Sequence, residues 1–201
     1  MLKVGLTGSI AVGKSFVART LRDLGCLVLD ADETSRRVVE PGTDGLREIV
    51  KTFGPGVLEP NGSLNRPALG QIVFDDESKR ELLNSIVHPR VIENQNRWLS
   101  EAEAVEPDGI AVIDAALMIE SGSFRRFDAL IVVWCNEDVQ LSRLIYRDDL
   151  TESEAKKRIA AQMPQDEKKK YTDLLIDTSN GYDDTQRQTE ETFRKLKSLQ
   201  K

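Results

Sequence analysis

Residues 8 to 15 read Gly8-Ser9-Ile10-Ala11-Val12-Gly13-Lys14-Ser15, the pattern G-x-x-x-x-G-K-S, directly after the apolar run Leu2-Lys3-Val4-Gly5-Leu6. Such a segment binds phosphate. Its glycines let the backbone turn tightly enough for successive N–H groups to converge on phosphate oxygens. Lys14 reaches the β- and γ-phosphates, and the Ser15 hydroxyl is a ligand for Mg²⁺. Phe16, Val17, Leu21 and Leu24 then recur at helical spacing before Gly25, a natural helix stop. A helix N-terminus, with its free N–H groups and partial positive charge, is therefore expected under the phosphates. The ligand this implies is a nucleoside triphosphate.

Two acids, Asp30 and Asp32, follow the second apolar run, and both face one side if the chain stays extended there. Phosphoryl transfer to an alcohol requires a carboxylate that orients the hydroxyl and accepts its proton. Asp32 is the candidate base and Asp30 a supporting or Mg²⁺-shell residue; the structural alternative is that Asp32 caps a helix over 33–40. Asp114 ends the run Ile110-Ala111-Val112-Ile113, where an acid either holds a Mg²⁺-bound water or serves a turn. Gln140, Arg143 and Arg147 share one helix face, as do Arg158 and Gln162. They read either as a basic lid over a triphosphate or as a solvated charged face. Lys168-Lys169-Lys170 reads as solvated surface. His88, the only histidine, precedes Pro89, which marks a helix boundary. A structural role is usual for a lone histidine, and substrate contact is its functional alternative.

Five apolar runs, 2–6, 26–30, 110–114, 130–135 and 174–177, must position these residues. Separated by helical patterns, they imply an α/β fold, a five-stranded parallel sheet with helices on both faces and ligands at the strands' carboxyl ends. The long stretch from Ala31 to Gly109 exceeds one crossover helix and reads as a helical insertion. Turns are expected at Pro41-Gly42, Gly54-Pro55-Gly56 and Asn61-Gly62, and helices over 67–84 and 89–104. A second insertion, the candidate lid, spans 140–165 and contains the capping box Thr151-x-x-Glu154. The C-terminal stretch closes the fold as a helix with Phe193, Leu196 and Leu199 as a weak apolar stripe. The expected division is 1–30 with 106–201 as nucleotide-binding core, and 31–105 as the insertion.

The 201 residues are 39% hydrophobic and 31% charged, ordinary for a globular chain. A net charge of −6 argues against non-specific nucleic-acid binding as the main activity. Cys26 and Cys135 both lie in strand-like runs, as buried reduced thiols do. With no apolar stretch long enough for a membrane span and no signal-peptide pattern, the expected setting is the cytoplasm.

These pieces together resemble the dephospho-CoA kinases, a family of P-loop nucleoside/nucleotide kinases, nearly end to end. The resemblance rests on Gly5-Leu6-Thr7-Gly8 leading into Gly13-Lys14-Ser15, Asp30-Ala31-Asp32 with Arg36, His88-Pro89, and Glu120-Ser121-Gly122. It extends to Gln140-x-x-Arg143-x-x-x-Arg147 followed by Arg158 and Gln162, and to Thr172-Asp173 and Asn180-Gly181 around the last strand. It implies ATP-dependent phosphorylation of the ribose 3′-hydroxyl of dephospho-CoA, with ATP and Mg²⁺ required. Asp32 would be the base, Lys14 and Arg143 would act on the phosphates, and Arg147 would bind nucleotide with Gly8 to Phe16. The insertion would receive the acceptor, with Arg36 and His88 in or near that site and Asp114, Arg158 and Gln162 as further contacts. The partner is a small molecule, with no nucleic acid and no membrane, and the protein is a monomer or weak homo-oligomer. The chain departs from the family's usual Gly-x-Gly-Ser-Gly-Lys-Ser-Thr at Ala11, Val12 and Phe16. After Asp114 it reads Ala115-Ala116-Leu117-Met118 in place of x-Pro-Leu-Leu, so the rigid turn of a proline is absent. Another small-molecule P-loop kinase is the nearest alternative; a nucleotide-dependent switch or a binding-only pseudoenzyme is disfavoured because no Asn-Lys-x-Asp guanine-reading segment occurs and Lys14, Asp32 and Arg143 are all present.

Overall fold

A computed structural model describes residues 1–74, 76–172 and 174–200. Asp173 of the Thr172-Asp173 pair lies outside them. The apolar runs form β1 (Leu2–Gly8), β2 (Leu27–Asp30), β3 (Ile110–Asp114), β4 (Ala129–Trp134) and β5 (Leu174–Asp177). They make one five-stranded parallel sheet in the order β2-β3-β1-β4-β5. β3 is buried along its whole length, which is why it reads as a continuous apolar run rather than an alternating one. Leu6 stands opposite Asp114 in the β1–β3 ladder, so the carboxyl ends of these neighbouring strands bring the phosphate loop beside that acid. The order reverses at β1, and this is where an open α/β sheet binds its ligands.

The chain divides into two compact units, 1–29 with 101–201, and 30–100. In the first, α1 (Lys14–Asp23) and α9 (Tyr182–Leu199) contribute Val17, Leu21 and Leu196 to a core with Val4, Leu6, Val112, Ile131, Val133 and Ile176. The expected stripe on α9 holds in part: Leu196 is buried and Phe193 packs against the core, whereas Leu199 is 51% exposed and Thr185, Thr189 and Thr192 share the buried face. Thr185 and Thr189 donate their hydroxyls to the carbonyls of Gly181 and Thr185, at 2.7 Å each, which leaves methyl groups to pack.

The second unit contains α2 (Ala31–Arg37), α3 (Asp44–Phe53), α4 (Arg66–Phe74) and most of α5 (Glu77–Val105), around Val39, Ile49, Val57, Leu69 and Ile86. α5 overturns the boundary expected at His88-Pro89, because the helix runs through Pro89. A proline inside a helix has no N–H to give to the carbonyl four residues back and disturbs the bonds around it. At the next position the Arg90 guanidinium donates to the Ile86 carbonyl at 2.6 Å and pairs with Glu48 of α3 at 3.6 Å, tying the turn beside Pro89 to α3.

The start of α2 also differs from expectation. The chain does not stay extended past Asp30, because Asp30 itself is the N-cap, accepting from the N–H groups of Asp32 (2.8 Å) and Glu33 (3.2 Å). The capping role weighed for Asp32 thus belongs to its neighbour.

The segment after β4 folds as α6 (Glu137–Asp148), α7 (Glu152–Ala160) and α8 (Gln165–Lys169). The Thr151 capping box is present, with the Thr151 N–H donating to Glu154 at 2.9 Å and the Glu154 N–H to Thr151 at 3.3 Å. The three lysines at 168–170 are not one solvated run. Lys168 is fully buried, Lys169 lies 4.1 Å over the Trp134 ring, and Lys170 alone is largely exposed.

Candidate active site

The phosphate loop is shaped by close backbone approaches. A Cβ on Gly8 would lie 2.5 Å from the Val133 carbonyl oxygen, so only glycine fits where β1 passes β4 into the loop. Gly13 has φ +85° and caps α1 without a side-chain hydrogen bond, the kind of helix start whose first N–H groups suit an anion. Ala11 has φ +61°, a left-handed conformation that a residue with a Cβ adopts at a cost. The loop is therefore built in its turning form despite lacking glycine there.

Lys14 donates to the Asp114 carboxylate, and Asp114 is 6% exposed. The Lys14 ammonium is thus held at the carboxyl end of β3. Ser15 is exposed in the first turn of α1, where its hydroxyl is accessible from outside the chain. Among the described residues no group of three or more His, Cys, Asp or Glu side chains is gathered to hold a metal.

Behind the loop stands Thr178, a residue that sequence reasoning missed. Its hydroxyl donates to the Val12 carbonyl at 2.7 Å and accepts from Arg143 Nη1 at 2.8 Å, while its carbonyl accepts from Arg143 Nη2 at 2.8 Å. Arg143 is therefore fixed against the loop. The signal available was position alone, since Thr178 directly follows β5 at the ligand-binding edge of the sheet. Phe16, where a hydroxyl is usual, packs its ring 4.9 Å from that of Tyr182.

The five polar residues expected on two facing rows separate into distinct groups. Gln140 is 1% exposed and donates to the Ile10 carbonyl at 2.8 Å, while Gln162 accepts from the Ile10 N–H at 2.7 Å. Both amides grip the same residue of the loop. Gln165, also unforeseen, donates to Gln140 at 2.8 Å and accepts from the Cys135 N–H at 3.0 Å, tying this grip to the end of β4. Arg147 and Arg158 instead meet on Asp148, with Arg147 donating at 2.8 and 3.1 Å and Arg158 at 2.7 Å. The hydrogen bonds from Arg147, with both positive charges, hold the Asp148 carboxyl below its ordinary range. A cavity of about 810 Å³ opens between α6, α7 and α8, lined by Ser9, Trp134, Gln140, Ile159, Met163 and Lys169 among others.

Asp32, Arg36 and His88 belong to the 30–100 unit, and all three are exposed. Asp32 lies in the first turn of α2 and Arg36 in its last, one helical turn apart, while His88 lies mid-way along α5.

The arrangement can hold a triphosphate by backbone N–H groups, with Lys14 and Arg143 supplying positive charge beside it. The sequence profile of a family described as dephospho-CoA kinase matches residues 2–184. A dephospho-CoA kinase of Geobacillus kaustophilus is 44% identical over 202 residues, covering 100% of this chain and 99% of that protein. Another, from Shouchella clausii, is 46% identical over 196 residues, covering 96% and 98%. The solved structure of a dephospho-CoA kinase from Campylobacter jejuni superposes with a TM-score of 0.73 over 98% of both chains; at 24% identity it shows a shared fold. With the phosphate loop, its lysine and its supporting acid in place, and relatives matched along nearly the whole length, the chain belongs to the dephospho-CoA kinase family.

Proposed function

We propose that this protein transfers the γ-phosphoryl group of ATP to the ribose 3′-hydroxyl of dephospho-CoA, giving coenzyme A and ADP. The observation that carries this reading is the phosphate loop with Lys14 held by Asp114, in a chain that matches the family over residues 2–184. Loop N–H groups and Lys14 would bind the β- and γ-phosphates, and Arg143 would add charge as the phosphoryl group moves. Asp32 would accept the proton of the attacking hydroxyl. Its support is chemical: an exposed carboxylate whose neighbour Asp30 already does the capping. Ser15 and Asp114 are the donors suited to Mg²⁺, and so small a donor set fits an ion carried mainly by nucleotide phosphates and water. That ion would neutralise charge building on the transferred group.

In this reading residues 31–105 receive the acceptor, with Arg36 and His88 as contacts. The 140–165 segment is the lid; Gln162 would contribute through the loop, and Arg147 and Arg158 would exchange Asp148 for anionic ligand oxygens. The proposed setting is the cytoplasm, with a monomer or weak homo-oligomer as the working form. Two buried free thiols fit a reducing compartment.

Asp32→Asn tests the base without removing a helix cap. Turnover is expected to fall on the order of 10²-fold or more with ATP affinity retained, measured by ADP release and nucleotide titration. Turnover equal to that of the parent protein would remove Asp32 from this role.

A further inference from the structure

Lys168 has no exposed side-chain surface, although nothing in the charged run around it foretells burial. Its ammonium donates to the Ala116 carbonyl at 2.8 Å and pairs with Glu120 Oε1 at 2.8 Å. Each partner is shared. The Ala116 carbonyl also accepts from the Thr7 hydroxyl at 3.2 Å, at the end of β1. Glu120 Oε1 also accepts from the Met163 N–H at 3.3 Å, and the Met163 carbonyl accepts from the Ser9 hydroxyl at 3.4 Å. One buried cation thus joins the turn after Asp114, the return from α7 to α8, and the phosphate loop.

Packing does not account for a lysine here. Desolvating an ammonium is costly, and apolar replacements of buried ion pairs are often neutral or stabilising. What an apolar side chain does not supply is a directed donor to the Ala116 carbonyl. That carbonyl lies in the turn two residues past Asp114, whose carboxylate holds Lys14. The same turn lacks the proline that would stiffen it. We infer that Lys168 is a positioning residue for phosphoryl transfer: with Glu120 it fixes the Ala115-Ala116 turn and Met163, so that Asp114 and the phosphate loop keep one arrangement when nucleotide draws Lys14 away. This rests on the function proposed above, and it gives Glu120 of the Glu120-Ser121-Gly122 motif a physical task.

The test compares Lys168→Met, Lys168→Arg, Glu120→Gln and the double variant Glu120→Gln/Lys168→Met in the full chain. Lys168→Met is expected to lower kcat on the order of 10- to 100-fold, as sub-ångström to ångström misplacement does. KM for ATP is expected to change less than about threefold, since the loop N–H donors remain. Lys168→Arg restores most of the rate, and the double variant is no slower than Lys168→Met because the pair acts as a unit. A folded Lys168→Met with the parent kcat, or fully multiplicative losses in the double variant, overturns the inference. Amide exchange supplies a readout independent of turnover: the 115–120 segment is expected to exchange faster in Lys168→Met, and unchanged protection also overturns the inference. If Lys168→Met does not fold, Glu120→Gln carries the same comparisons. If the parent protein fails to phosphorylate dephospho-CoA, the functional reading fails, and the exchange data alone decide the positioning claim.

Discussion

Ala11 shows how a single side chain records what the loop must do. Its φ of +61° costs about 1–2 kcal/mol for an L-residue with a Cβ. Glycine would relieve that cost but lose about 0.4–1 kcal/mol through a freer unfolded chain. Ala11→Gly is therefore expected to stabilise the protein by about 0.5 kcal/mol, read as a higher urea midpoint; a lower midpoint would contradict the assigned conformation. Cys26 gives the residue-scale pH dependence. Burial pushes its thiol up from 9.0 to about 12. The folded state then holds a proton that the unfolded state releases, so stability falls as pH rises from about 9 towards 12. Cys26→Ala is expected to flatten that fall in denaturation midpoints measured across the range; an equal slope in both proteins would contradict the assignment. Lys14, Ser15 and the loop glycines were readable because their spacing is local. Lys168 was not, because its burial depends on Glu120 and Ala116, far away in sequence.

At the scale of elements, the strands were visible as apolar runs, and β3, buried along its whole length, has no reason to alternate. Helix ends were harder. Asp30 and Asp32 are equally good caps by type, and the choice between them is made by where β2 ends. Phe193 and Leu196 of α9 were visible, but the rest of its buried face was hidden because threonines carry it, with the Thr185 and Thr189 hydroxyls satisfied by the helix's own carbonyls. Pro89 is the clearest departure. Its ring costs about 3 kcal/mol in an ideal helix interior, yet packing around Ile86 and the Arg90 contact sustain α5 through it. Pro89→Ala is expected to stabilise the protein by about 1 kcal/mol or more after the entropy returned to the unfolded chain is subtracted, read as a higher denaturation midpoint. A lowered midpoint would mean that Pro89 is needed to seat Ile86.

At the scale of the molecule, a parallel sheet holds a nucleotide loop and an acid at adjacent strand ends, and a separate compact unit, 30–100, is strung between β2 and β3. The size of that stretch is the ground for expecting an insertion, because a parallel crossover needs far fewer residues. The inward grip of Gln140 and Gln162 on Ile10 was not readable, since helical spacing groups residues by face but does not say which face meets the core. Among the described residues no helix is long and apolar enough to cross a membrane. The most direct test of the whole reading is to incubate the purified protein with ATP, Mg²⁺ and dephospho-CoA and locate the transferred phosphate by mass spectrometry and phosphorus NMR. The expected result is one ADP per product molecule, with the phosphate on the ribose 3′-oxygen. No ADP above background with dephospho-CoA, alongside turnover of a different alcohol or nucleotide, would contradict it.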